Sequence, residues 1–166
     1  DGTFVDLYAI SNHFSSTPDA RVGQRSEQAA YNAAIVDALQ SADPGVKVAL
    51  GGDLNVYPRP DDPFAPGDPH FPSDQLGALY EDGLHNLWDT IVAQVPQAAY
   101  SYVFEGQAQT LDQVFVTDSL FSTLVVARHA HVNSDWPADE PGDGPHGTSD
   151  HDPLVARFRH VSAQAG

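Results

Sequence analysis

Apolar and polar positions follow two different periods along this chain. Phe4-Val5-Asp6-Leu7-Tyr8-Ala9-Ile10 reads as a strand that starts without any lead-in and stops at Ser11-Asn12-His13-Phe14-Ser15-Ser16. Pro18 and Gly23 mark the loop behind it. From Ser26, a candidate N-cap, to about Ser41, Tyr31, Ile35, Ala38 and Leu39 fall at helical spacing, and Pro44-Gly45 ends the helix. Val46-Lys47-Val48-Ala49-Leu50 is a short apolar run closed by Gly51-Gly52-Asp53-Leu54-Asn55, the pattern of a buried strand. Strand, helix, strand predicts α/β organisation.

Pro58, Pro60, Pro63, Pro66, Pro69 and Pro72, interleaved with aspartates, leave no room for periodic structure, so residues 58–73 are expected to form a long loop. Leu76, Leu79, Tyr80, Leu84, Leu87, Trp88, Ile91 and Val92 fit one or two helices broken near Gly83. Three further strands are predicted at Tyr100–Phe104, Leu111–Val116 and Leu154–Phe158, with a second Pro, Asp and Gly loop over 137–147. There is no internal repeat, heptad or interdomain linker, and 166 residues suit one domain.

Polar clusters punctuate the strand ends: Asn12-His13, Gly52-Asp53-Leu54-Asn55, Asp112, and Ser149-Asp150-His151. Strand ends are where sites gather in α/β proteins. One such cluster alone is an ordinary turn, but two histidines and several carboxylates arriving together make an acid, base and metal inventory. Cysteine is absent, which excludes disulfide frameworks, thiolate zinc sites and cysteine nucleophiles. No Gly-x-Ser-x-Gly, phosphate-binding loop or dinucleotide fingerprint occurs.

Motif by motif and in the same order, Asn12-His13-Phe14, Gly52-Asp53-Leu54-Asn55, Leu111-Asp112-Gln113-Val114 and Ser149-Asp150-His151-Asp152-Pro153 resemble the C-terminal half of the endonuclease/exonuclease/phosphatase superfamily, the DNase I-like group. Tyr100-Ser101-Tyr102-Val103-Phe104-Glu105-Gly106 and His131-Val132-Asn133-Ser134-Asp135 resemble its branch of bacterial secreted nucleases and related phosphatases. The resemblance implies a four-layer α/β sandwich, two packed β-sheets flanked by helices, of which residues 1–166 supply the C-terminal portion. The N-terminal portion, with the superfamily's principal metal-binding Glu, is expected to lie outside this chain.

The implied chemistry is divalent-metal-dependent hydrolysis of a phosphate ester by in-line attack of water. Asn55 is expected to donate its amide to a phosphate oxygen. Asp53 orients the attacking water or binds metal, and Asp112 pairs with His151 so that the imidazole acts as base or charge stabiliser. His13 contacts the phosphate or serves as general acid, and Asp150 faces the metal. Asp150 and Asp53 are the expected ligands of Mg²⁺, with Ca²⁺ or Mn²⁺ as alternatives. Arg25 and Gln28 are expected to brace the His13 loop. His129-x-His131 has a spacing seen in zinc sites, yet with no cysteine the pair, with Asn133, reads as a structural or substrate-side motif.

Charge redirects part of this expectation. Seven Lys and Arg face 23 Asp and Glu, a net charge of −16, whereas a nuclease normally lines its groove with cations. An extracellular nuclease cleaving DNA or RNA is the leading expectation. A phosphatase or phosphodiesterase acting on small or lipid phosphate esters is the alternative, and a non-catalytic binding module retaining the fold is the third. No apolar run is long enough to span a membrane.

Overall fold

A computed structural model describes residues 5–17, 19–59, 61–136, 144 and 146–159. Its elements in chain order are β1 (Tyr8–His13), α1 (Val22–Ala42), β2 (Val48–Asp53), α2 (Gly77–Glu81), β3 (His85–Asn86), α3 (Leu87–Gln94), β4 (Tyr102–Phe104), β5 (Gln107–Gln109), β6 (Asp112–Val116), α4 (Asp118–Phe121), β7 (Leu124–His129) and β8 (Leu154–Phe158). A four-stranded sheet runs β1-β2-β6-β3, and β4-β5 and β7-β8 form two separate antiparallel pairs. The fold is mixed α/β, as the alternation predicts. Among the described residues no helix is long and apolar enough to cross a membrane.

Strand periodicity decides which residue enters which core. Val48, Leu50 and Phe115 turn to one side of the sheet and pack with Ala29, Ala33 and Val36 of α1 and Leu79 of α2. Ala49, Val114 and Val116 turn to the other side, against Leu87 and Ile91 of α3 and Ala127, Leu154, Ala156 and Phe158 of the β7-β8 pair. Burial on both faces is why β2 reads as an uninterrupted apolar run rather than an alternating one. The described layers are therefore helices, four-stranded sheet, and the β7-β8 pair with α3.

Gly51 and Gly52 let the strands close where the site begins. A Cβ on Gly51 would stand 2.2 Å from the Gln113 carbonyl oxygen and 2.8 Å from the Val114 Cα, both backbone atoms of β6. Gly52 has φ +138°, and a Cβ there would meet the Asn12 carbonyl oxygen of β1 at 2.1 Å. Gly51→Ala must push two hydrogen-bonded strands apart, an overpacking cost of about 3 kcal/mol. The expected result is a melting temperature lowered by roughly 6–12 °C, read by thermal denaturation followed by circular dichroism.

Several boundaries differ from the sequence expectation. The first strand runs Tyr8–His13, displaced toward the site, while Val5–Leu7 is not in a strand and Phe4 lies outside the described residues. Helix α1 starts at Val22, one turn before Ser26. Arg21 is its N-cap in the left-handed region, φ 59°, and the Ser26 hydroxyl donates to the Val22 carbonyl at 3.1 Å instead of capping. The 73–95 segment does hold two helices broken near Gly83, but β3 intervenes, and Asn86 caps α3 by accepting from the Trp88 N–H at 3.0 Å. Of the loop expected over 137–147, residues 137–143 and 145 lie outside the described residues.

Candidate functional site

Sheet register sets three of the expected residues side by side. His13 is the partner of Asp53 across parallel β1 and β2, and Asp53 is the partner of Asp112 across antiparallel β2 and β6. Neighbours in such a row stand about 5 Å apart at Cβ, so a histidine and two carboxylates share one sheet end. His13 Nε2 lies 3.5 Å from Asp53 Oδ2, and its side chain is 75% exposed, open to a ligand. Asp53 Oδ1 accepts the Asn55 backbone N–H at 2.9 Å. Burial pushes the Asp53 carboxyl above its usual range, an effect opposed by that hydrogen bond and by the nearby His151 and His13.

His151 enters from the loop before β8 and completes the group. Its Nδ1 donates to Asp112 Oδ2 at 2.7 Å, the direction following from the carboxylate being an acceptor. This bond is the main reason the imidazole is held above its ordinary pKa, against the opposing effect of burial. The paired Asp112 and His151 expected from the sequence are thus brought together. The ring also packs on Tyr102, centroids 4.5 Å apart and 28° from parallel.

Asn55 and Asp150 stand at the edge of this group. Asn55 is buried, has φ 51°, and its Nδ2 donates one N–H to the Phe14 carbonyl at 3.1 Å, tying the β2 end to the segment after His13. A metal site is incomplete. Asp150 is exposed and near enough to His151 to influence its charge, but among the described residues no three Asp, Glu or His side chains are placed to hold an ion. Mg²⁺ demands near-octahedral oxygen coordination. Asp53 and Asp150 would be two of the oxygen donors such a shell needs.

The loop brace is as expected and more extensive. Gln28 Oε1 accepts the Ser15 N–H at 3.0 Å. The wholly buried Arg25 donates from Nη1 to the carbonyls of Ser15 at 2.9 Å and Thr17 at 3.0 Å, from Nη2 to Ala20 at 2.8 Å, and from Nε to Gln75 Oε1 at 2.6 Å. His13 therefore ends a strand whose following loop is fixed from beneath.

Sequence reasoning passed over Ser101 and Asp152. The buried Ser101 hydroxyl accepts the Leu111 and Asp112 N–H groups at 3.2 and 3.0 Å, setting Asp112 at its height on β6. A small polar residue between two tyrosines was the available signal. Asp152 Oδ1 accepts the Val132 and Asn133 N–H groups, each at 2.8 Å, while Oδ2 accepts the Ser134 hydroxyl and faces His131 Nδ1 at 3.2 Å. Burial opposes its ionisation, yet these bonds together carry the Asp152 carboxyl below its ordinary pKa. Asn133 Nδ2 donates to the His151 carbonyl at 2.7 Å. His131 and Asn133 are thus the structural support of the His151 loop.

His129 does not share a strand face with His131, which follows the end of β7 with φ 48°; the ring centroids are 6.4 Å apart. His129 is 3% exposed, and neither ring nitrogen has a hydrogen-bond partner. Burial, aided by His131, pulls its pKa down to about 4. Unfolded histidine titrates near 6.5, so the unfolded chain binds the extra proton first, and stability is lost as pH falls from about 6.5 to about 4. That linkage amounts to about 3 kcal/mol. Urea midpoints at pH 7.5 and pH 4 are expected to fall further for the wild type than for His129→Leu by this amount; equal falls would place the acid sensitivity elsewhere.

Comparison with known proteins bears on the fold. No protein-family profile matches the sequence, and no curated protein matches it. The described architecture is shared with a solved structure at a TM-score of 0.62, although only 17% of residues are identical. That structure is truncated TDP2 of Caenorhabditis elegans; the similarity covers 93% of this chain and 54% of TDP2's, so the chain spans about half the length of the protein it matches.

Proposed function

We propose that this chain carries the catalytic face of a divalent-metal-dependent phosphodiester hydrolase, an extracellular bacterial nuclease acting on DNA or RNA. The observation that carries the reading is the row His13, Asp53, Asp112 across three adjacent strands, with His151 closed on Asp112. Hydrolysis of a phosphodiester adds water to phosphorus, breaks one P–O ester bond and requires a proton for the leaving oxygen. Asp53, made more basic by burial, orients the water and takes its proton. His151, its protonated form favoured by Asp112, neutralises charge on the phosphoryl oxygens. His13, the most open of the three, protonates the leaving oxygen. The likeness in fold to TDP2 supports the superfamily resemblance.

A complete four-layer sandwich, with an N-terminal portion supplied from outside this chain, belongs to the same proposal. Support comes from a groove of about 340 Å³ beside the catalytic row, lined by Ala9, Ser11, Gly51, Val114, Pro153 and Leu154. The Mg²⁺, Mn²⁺ or Ca²⁺ implied by the resemblance needs oxygen ligands beyond Asp53 and Asp150, which that portion would supply.

The strongly acidic surface favours, as a second reading, small or lipid phosphate esters over a polyanionic strand. Plasmid nicking and phosphate release from small monoesters, each with Mg²⁺, Mn²⁺, Ca²⁺ or EDTA, distinguish the two. The assays use this chain alone and joined to the N-terminal portion of the domain. Metal-dependent nicking is expected from the joined form. Phosphate release without nicking favours the second reading, and silence in both assays leaves a binding module.

A further inference from the structure

The His151 ring is the inner end of a row of aromatic rings that leads out to solvent. It packs on Tyr102 at 4.5 Å between centroids, and Tyr102 is followed by Phe104 at 6.2 Å and 17° from parallel. Tyr102 and Phe104 are two residues apart on β4, hence on one face of the strand. Phe104 is 51% exposed, so a large apolar ring ends the row with a face turned to water. The row is rigidly placed. The Tyr102 backbone forms an antiparallel bridge to His151, and β4 turns into β5 through Glu105 and Gly106, both at positive φ, the geometry of a tight two-residue hairpin.

Core packing does not require this arrangement, since neither hydrophobic core includes Tyr102 or Phe104. The electrostatics also restrict what the row can receive. No Lys or Arg occurs between residues 100 and 127 or between 144 and 156, and Glu105 stands at the hairpin tip. These two segments therefore offer a ligand's phosphates no Lys or Arg, and His151 is the cationic group at the inner end of the row. A flat, neutral, unpaired ring finds an aromatic face, the sequence-tolerant contact by which single strands are held.

We infer that Phe104 and Tyr102 form a stacking platform for an unpaired nucleobase of a single-stranded nucleic acid, the base adjoining the phosphate that lies at His151. The inference deepens the phosphodiesterase reading by naming its substrate form, and its test needs no turnover. In EDTA at physiological ionic strength, binding of a labelled six-nucleotide oligothymidylate is compared with that of an abasic strand bearing the same phosphates and of the matching duplex. The base-bearing single strand is expected to bind on the order of tenfold more tightly than either. Phe104→Ala and Phe104→Leu are expected to abolish that difference, the leucine keeping apolar bulk without a π face, while Phe104→Trp keeps it. Equal binding of the abasic strand, equal binding of the duplex, or unchanged affinity in Phe104→Ala overturns the inference. A chain that binds through Phe104 and cleaves nothing upholds it while removing the phosphodiesterase reading.

Discussion

Asp112→Asn is expected to lower phosphodiester turnover by about 10²- to 10⁴-fold, the range in which a positioned acid-base group contributes. The amide keeps the size of the carboxylate and one acceptor oxygen, so His151 Nδ1 still has a partner 2.7 Å away while the negative charge is gone. Since the Asp112 bond is the largest influence raising the His151 pKa, the imidazole of the variant must titrate at lower pH. The stability linkage follows the same sign. A histidine raised above its unfolded value stabilises the fold below about pH 6.5, and that contribution is lost as pH rises through the folded value. The variant therefore loses stability in acid and little in alkali. An NMR pH titration of the His151 ring separates the two claims: an unmoved midpoint removes the electrostatic pairing, and a moved midpoint with unchanged turnover removes the pair from the chemistry.

Much of this site was legible because strand ends are written locally. Apolar runs of four to six residues ending at Gly52-Asp53, at His13 and around Asp112 told where polar groups would emerge. Sheet pairing then needed only to align the ends, which the register of β1, β2 and β6 does. The pairing of Asp112 with His151 spans 39 residues and came from the motif resemblance, not from any local pattern. What stayed hidden was set by tertiary partners. The extra first turn of α1 forms because Arg25 gathers the carbonyls of the preceding loop, an interaction that outweighs the capping preference of Ser26. Ser101 acts through backbone N–H groups, which carry no residue identity, and Asp152 through those together with side chains 18 to 21 residues away, so neither could be paired from sequence. β5 lacks an apolar face, and with Glu105-Gly106 as its turn it gave no alternation to read. The left-handed backbone of Asn55 and its bond to the Phe14 carbonyl were equally unreadable, since both depend on how β1 lies beside β2.

Arg25→Lys is expected to destabilise the fold by about 3–5 kcal/mol, the scale for removing one partner from a buried charged network. The guanidinium is fully buried, and its planar fork reaches Ser15, Thr17, Ala20 and Gln75 in different directions at once. An ammonium offers three donors from one point and cannot span that set, so at least one buried carbonyl loses its partner. Burial lowers the Arg25 pKa and the neighbouring Asp61 supports the charge, so the loss falls on geometry as much as on charge. The loop from Ser15 to Ala20 follows His13 directly, and with its carbonyls released the histidine no longer has a fixed base. Urea denaturation measures the stability change. Line broadening of the His13 ring resonance, with the His151 resonance unaltered, is the accompanying sign that the damage is confined to the loop. A variant within 1 kcal/mol of the wild type, on a range where an ordinary hydrogen bond contributes about that much, means water replaces the guanidinium at those carbonyls and Arg25 is not what holds His13 in line with Asp53.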